Sequence, residues 1–419
     1  MLPHRSSLGL PISILTVALL AAACSAHADQ AATAVDTSCK SDGACAVTPN
    51  TPLCDLPTGA CVALPPGHEI GWRDGAVDSV DVVGIYDPGA SKREATDLKF
   101  HPTRTSELWV ALREFDDPRP CTDSNKQGCA ALEGRVAIIT NPGGAGVTWN
   151  VTKDPNALHF MRRPPALAFG AGDTFGTCGE FRTGNATDDP LDYIGPTLFS
   201  SDPKIWAKQP PGKNGSHLDM LHESPFCVGV AWERDNVYWA FNGKNGAVDR
   251  YDFHSPHEIG GEDHSNGELR RYNVGLLKRV AGVPGHMVYN QADGQLYIAD
   301  TGNGRIVKLD PGSGSGSGKP APLYDPIKLA ELRKDASVVE VVAPGTLTAP
   351  SGLWIKDEVL FVSDNATSRF YAFDLQGKLL RTLDTKLPAG SLAGITVGPD
   401  DRFYFVDKST SWVYRIEPK

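Results

Sequence analysis

The sequence predicts an all-β protein: a six-bladed β-propeller, preceded by a signal peptide and a short disulfide-rich segment. Three observations carry that expectation. A four-residue core, small or polar and then hydrophobic at its second and fourth places, occurs six times: Asp97-Leu-Lys-Phe, Ala166-Leu-Ala-Phe, Gly229-Val-Ala-Trp, His286-Met-Val-Tyr, Gly352-Leu-Trp-Ile and Gly394-Ile-Thr-Val. A second run follows each copy, as in Glu107-Leu-Trp-Val and Gln295-Leu-Tyr-Ile, and it is apolar in all but the second copy, Asp173-Thr-Phe-Gly. The copies start 69, 63, 57, 66 and 42 residues apart. Short strands repeating at that period make a propeller and not a helical solenoid.

Taken in order, residues 1–28 are a targeting segment. His4 and Arg5 give a weakly basic start, Ile12 to Ala23 an apolar run too short for an ordinary membrane span, and Cys24 follows Leu20-Ala-Ala-Ala. Two cleavage sites are open. The stretch resembles a bacterial lipoprotein signal, in which Cys24 becomes the lipidated first residue; Ala26-His27-Ala28 also fits ordinary secretion after Ala28. Either way the mature protein is exported, lipid-anchored in a bacterial cell envelope or periplasmic or secreted, and meets a membrane only through a lipid anchor.

Export turns the other eight cysteines into expected disulfides. Residues 29–70 form a Cys-rich spacer in which Cys39, Cys45, Cys54 and Cys61 pair among themselves; no C-x2-C pair suggests a zinc knuckle. Residues 79–419 are the propeller. The last repeat has room for only three strands, so the run Ser79 to Tyr86 is expected to close it and leave no long free edge. Insertions mark where function sits. They are a loop over 114–133 whose Cys121 and Cys129 pair, an irregular passage over 182–225, a His-rich loop over 254–266, and a flexible Gly/Ser tract over 312–318.

The segment Gly294-Gln-Leu-Tyr-Ile-Ala-Asp-Thr-Gly-Asn-Gly-Arg-Ile-Val-Lys-Leu-Asp310 reads as a hairpin. It is similar to the NHL repeat, a propeller blade motif. That resemblance implies that loops entering each first strand share a top face with the loops between second and third strands. His159, Arg163, His217, His222, Glu223 and His286 then fall on top, and His254, His257 and His264 on the opposite face. Cys178 and Cys227 become top-face neighbours and pair. Asp300, Asp364 and Asp407 cap turn amides.

Two site candidates follow. His286 and Asp97 stand at first-strand positions that are otherwise Gly or Ala, which keeps the channel open, with His222 entering beside them. The three make an axial divalent-metal set; without metal, His286 does general acid/base work, with His222 a further catalytic candidate, while Arg162 or Arg163 holds an anionic substrate. The other candidate is the loop, where His254, His257, Asp263 and His264 ligate zinc or another transition metal. Copper suits the same donors. Calcium is implied by resemblance to gluconolactonase-like propellers, through Asp97 alone.

Forty basic against fifty acidic residues, a net −10 without any basic block, exclude nucleic acid. The expected function is an exported, surface-anchored monomer binding a protein, peptide or small polar ligand on its top face. The alternative is a metal-dependent exported enzyme (lyase, hydrolase or oxidoreductase) working at the axis.

Overall fold

The computed structural model describes residues 38–419 apart from 41, 46–50, 52, 56–57, 73–74, 89–92, 115–132, 185–192 and 321–322. The signal peptide, Cys24 and the Cys121–Cys129 pair lie outside the described residues. Two compact units meet between Ala63 and Leu64.

The smaller unit is held by sulfur. After a single turn, α1 (Asp42–Cys45), strands β1 (Leu53–Asp55) and β2 (Ala60–Val62) form a hairpin with Cys54 opposite Cys61. Each of those cysteines is bonded elsewhere, in Cys39–Cys54 and Cys45–Cys61, so the two bridges interleave. A segment this short lacks the apolar area to fold alone, and disulfides supply the constraint.

The larger unit starts earlier than the expected spacer end at residue 70. Ile70 is fully buried among Phe370, Phe405 and Ile416, Arg381 Nε donates to the Pro66 carbonyl at 3.1 Å, and Lys356 pairs with buried Glu69 at 3.1 Å. Residues 64–70 therefore pack as part of the propeller.

After β3 (Val80–Tyr86), the chain builds six antiparallel blades. Blade 1 is β4 (Arg93–Phe100), β5 (Glu107–Glu114), β6 (Arg135–Thr140) and β7 (Thr148–Thr152). A short helix, α2 (Ala157–Phe160), leads to blade 2: β8 (Leu167–Phe169), β9 (Thr174–Thr177), β10 (Thr197–Ser200) and β11 (His217–Met220). Blade 3 is β12 (Val230–Arg234), β13 (Val237–Asn242), β14 (Ala247–Asp252) and β15 (Glu268–Tyr272). Blade 4 opens with β16 (Met287–Asn290), β17 (Gln295–Asp300) and β18 (Arg305–Leu309). It then detours through β19 (Ser315–Gly316) and β20 (Leu329–Lys334) before its outer strand β21 (Val338–Val342). Blade 5 is β22 (Pro350–Lys356), β23 (Val359–Asp364), β24 (Arg369–Asp374) and β25 (Leu379–Asp384). Blade 6 is β26 (Leu392–Val397), β27 (Phe403–Asp407) and β28 (Trp412–Pro418), completed by β3.

The first strands touch in a ring, β4 to β8, β12, β16, β22, β26 and back to β4. Each blade is covered on both faces by its neighbours, and the core is six apolar interlayers, one per blade interface. That explains the second-strand runs. β13, β23 and β27 are buried along their whole length, so both faces must be apolar, while the outer strand β7 is mostly exposed. The polar-looking run in blade 2 is no exception to burial: Phe175 is fully buried, and a side chain at Gly176 would run into the Tyr238 ring of blade 3.

One element departs from a regular ring. β20 adds to the edge of blade 3 parallel to β15, and β19 pairs with β20, giving that sheet six strands. The Gly/Ser tract thus supplies a strand, and the detour carries Tyr324 and Asp325 to the side of blade 3. No helix among the described residues is long and apolar enough to cross a membrane.

Candidate functional site

At the axis, the small first-strand residues do not keep a channel open. Side chains at Gly229, Gly352 and Gly394 would collide with Gly285, Ala393 and Asp97 of the next blade, so these glycines let the inner strands close on each other. Asp97 and His286 are buried, at 1 % and 2 % exposure. Asp97 Oδ1 accepts from Leu98 N at 2.8 Å and Lys99 Nζ at 2.7 Å, and Oδ2 accepts from Leu167 N of blade 2 at 3.0 Å. His286, on the opposite blade, donates from Nε2 to the Pro165 carbonyl at 3.0 Å, and its Nδ1 lies 3.6 Å from Asp97 Oδ1. Burial lowers its pKa below the ordinary value against the pull of Asp97, so the ring is neutral at pH 7. The arrangement braces three blades across the axis.

The expected axial set is not assembled. His222 shares no partner with His286 or Asp97: its backbone N and Nδ1 both donate to Asp325, at 2.6 and 3.2 Å, and its Nε2 is 3.2 Å from His159 Nε2. Arg163 is half-buried with left-handed backbone (φ 48°), and its carbonyl accepts from Glu180 N at 3.1 Å. The turn aspartates do cap: Asp364 accepts from the amides of Thr348, Ala349, Ala366 and Thr367.

Histidines instead converge on the rim, outside blades 2 and 3. His159 lies in α2, His217 opens β11, and His222 follows that strand; His257 and His264 come from the loop between β14 and β15. Their rings form a chain, with centroids 5.2 Å apart for His159–His222, 6.2 Å for His222–His264, 5.3 Å for His264–His257 and 4.9 Å for His257–His217. His217 also stacks on Phe160 at 3.7 Å. Three carboxylates enter the cluster: Asp219 from β11, Asp325 from the blade 4 detour, and Glu223. Placing His217 and His222 on one face and the loop on the other therefore fails. The outer strand β11 runs the height of the blade, and the long loop folds back along it.

The ring nitrogens are sorted by their partners, since a carbonyl or carboxylate oxygen can only accept. Nδ1–H donates to the Asn214 carbonyl in His217 (2.9 Å), to Asp325 in His222, to the Glu258 carbonyl in His257 (2.6 Å), and to Asp219 Oδ1 in His264 (2.8 Å). Each ring is left with Nε2 as its second nitrogen. Burial, helped by the charges of neighbouring rings, pushes His217 down to about 2 and keeps it neutral. Burial also opposes charge on His264, but Asp219 outweighs it and holds that pKa above the usual value. Glu223 is pushed up to about 8 by burial, with Tyr324 N on its Oε1 at 2.7 Å.

The other two loop residues lie apart. His254, in left-handed backbone (φ 48°), turns to Asp252 at 3.4 Å and Glu268 at 3.2 Å. Asp263 is exposed and accepts from Ser265 N at 3.0 Å. Asp219 and Asp325 were not singled out by sequence; the alternation of β11 puts Asp219 on the face of His217, which was the available signal.

Between blades 2 and 3, Cys178 and Cys227 are bonded and buried. No family model matches the chain, and no curated protein matches it by sequence. Among solved structures it is similar to an auxiliary nutrient binding protein from Bacteroides thetaiotaomicron (11 % identity, TM-score 0.48, covering 80 % of this chain and 75 % of that one). It is also similar to a streptogramin B lyase (10 %, 0.45, 83 % and 100 %) and to a catalytically inactive virginiamycin B lyase from Staphylococcus aureus (9 %, 0.40, 81 % and 100 %). The six-bladed ring itself is established by the strand pairing above.

Proposed function

We propose that this protein is an exported binding module that takes a peptide or small polar ligand on the rim of blades 2 and 3. The observation that carries the reading is the contrast in donor atoms. The axial carboxylate has both oxygens committed to backbone and lysine, whereas the rim gathers five of the chain's eleven histidines beside three carboxylates. The three disulfides among the described residues support export, because such bonds persist in oxidising compartments.

Peptide and glycan arrays probed with the purified protein test this. Binding is expected to fall at least tenfold in His222→Ala and to persist in His286→Gln, which keeps a donor for Pro165. Binding that disappears in the axial variant and survives in the rim variant would move the site to the axis and end this reading.

A further inference from the structure

We propose that Asp219, His257 and His264 form a site for one divalent transition metal of the zinc class, with a coordination position left open. The proposal deepens the rim reading by naming what the rim uses to hold its ligand.

Geometry comes first. One donor atom from each of the three residues lies within 4.8 Å of the others. Around a four-coordinate metal with bonds of about 2.0–2.1 Å, neighbouring ligand atoms sit roughly 3.4 Å apart. Small side-chain rotations of the two loop histidines close that difference, and neither sits inside a strand.

Two buried atoms then point to a missing partner. Asp219 is fully buried, its Oδ1 is used by Met220 N and His264 Nδ1, and Oδ2 has no hydrogen-bond partner among the described residues. His257 Nε2 is likewise buried without a partner. An unpartnered buried carboxylate oxygen is costly, and a cation facing it removes the cost. One supporting contact also matches a metal shell: His257 is oriented through Nδ1 by the Glu258 carbonyl, which leaves Nε2 for the ion. Metal-bound imidazoles use their second nitrogen in this way. His264 Nδ1, 2.8 Å from Asp219 Oδ1, would face the ion in place of that hydrogen bond.

Two imidazoles and one carboxylate select zinc, copper or nickel over calcium, which takes oxygen ligands. Three protein ligands leave a fourth position free. A ligand with an exposed imidazole, carboxylate or thiolate would fill it.

The test is equilibrium dialysis of the chelator-stripped protein against micromolar zinc, with bound metal counted by mass spectrometry. One zinc per chain is expected. Asp219→Asn, nearly isosteric and still able to accept from Met220 N, and His264→Ala are each expected to weaken binding at least tenfold, while His254→Ala and His286→Gln retain it. In the unmodified protein, cobalt is expected to give a four-coordinate visible spectrum that shifts when imidazole is added. No bound zinc, undiminished binding in the Asp219→Asn/His264→Ala double variant, or loss in His254→Ala would each overturn the site. Array binding repeated with a chelator separates the two readings: ligand binding that persists without metal leaves the rim intact and removes only the metal.

Discussion

The axis and the rim solve opposite problems with the same residue types. At the axis, both oxygens of buried Asp97 are spent, Oδ1 on Leu98 N and Lys99 Nζ and Oδ2 on Leu167 N of blade 2, and buried His286 donates from Nε2 to the Pro165 carbonyl. At the rim, aspartate and histidine are oriented by one side of each group while the other side is left uncommitted. Burial of a polar group is therefore no sign of function by itself. Each region has a histidine with one buried nitrogen that makes no hydrogen bond, so what separates them is the carboxylate: both oxygens of Asp97 have partners, and Asp219 Oδ2 has none among the described residues.

The largest effect that would break this comparison is at Asp97. Asp97→Ala removes the acceptor for Leu167 N and leaves Lys99, whose side chain is 14 % exposed, without its carboxylate. Breaking such a pair costs about 3–5 kcal/mol. Urea unfolding should show that loss, and an unchanged midpoint would mean that the axis is not a brace.

Next in size is the link between the two regions. Cys178–Cys227 has a sequence separation of 49 residues, and its Cys227 lies five residues after His222. The Cys178→Ser/Cys227→Ser pair should lower stability by about 2–4 kcal/mol. Thermal melts with and without reductant check it: the unmodified protein should lose stability in reductant, and the variant should not respond at this bond.

A smaller effect separates the regions by pH. Burial lowers the His286 pKa in the folded state below its unfolded value of 6.5. Below pH 6.5 the unfolded chain takes up a proton that the folded chain refuses, so stability falls as pH drops, by up to about 1.4 kcal/mol per unit from this group until the folded pKa is reached. Comparing unfolding free energies at pH 7 and 5.5, His286→Gln should fall less than the unmodified protein. Equal slopes would show that His286 is not held neutral.

The ring was legible because it is local and repeated: six cores and their second runs mark the inner strands, and the short last repeat called for β3. The rim was half legible. His257 and His264 stood out by composition, but Asp219 looked like one more strand residue, and Asp325 comes from a segment 103 residues beyond His222. Neither spacing nor propensity reports a contact made by an insertion that leaves its own blade to pair with β15. The axis misled for a related reason. Glycine at a first position is equally compatible with an open channel and with strands in close approach, and only the packing decides.

The smallest expected effect is at His254. The spacing His254-x2-His257 suggests a chelating pair, yet the backbone at His254 turns its ring to Glu268, in a pair whose histidine is 34 % exposed. Exposed pairs of this kind contribute about 0–1 kcal/mol. His254→Ala should therefore shift the melting midpoint by no more than a few degrees and leave zinc stoichiometry at one. The same substitution at His264 takes a partner from the fully buried Asp219, so it should cost more stability than His254→Ala and, unlike it, weaken metal binding at least tenfold. If they instead lose metal together, the loop acts as one chelate and β11 contributes only the surface it folds against.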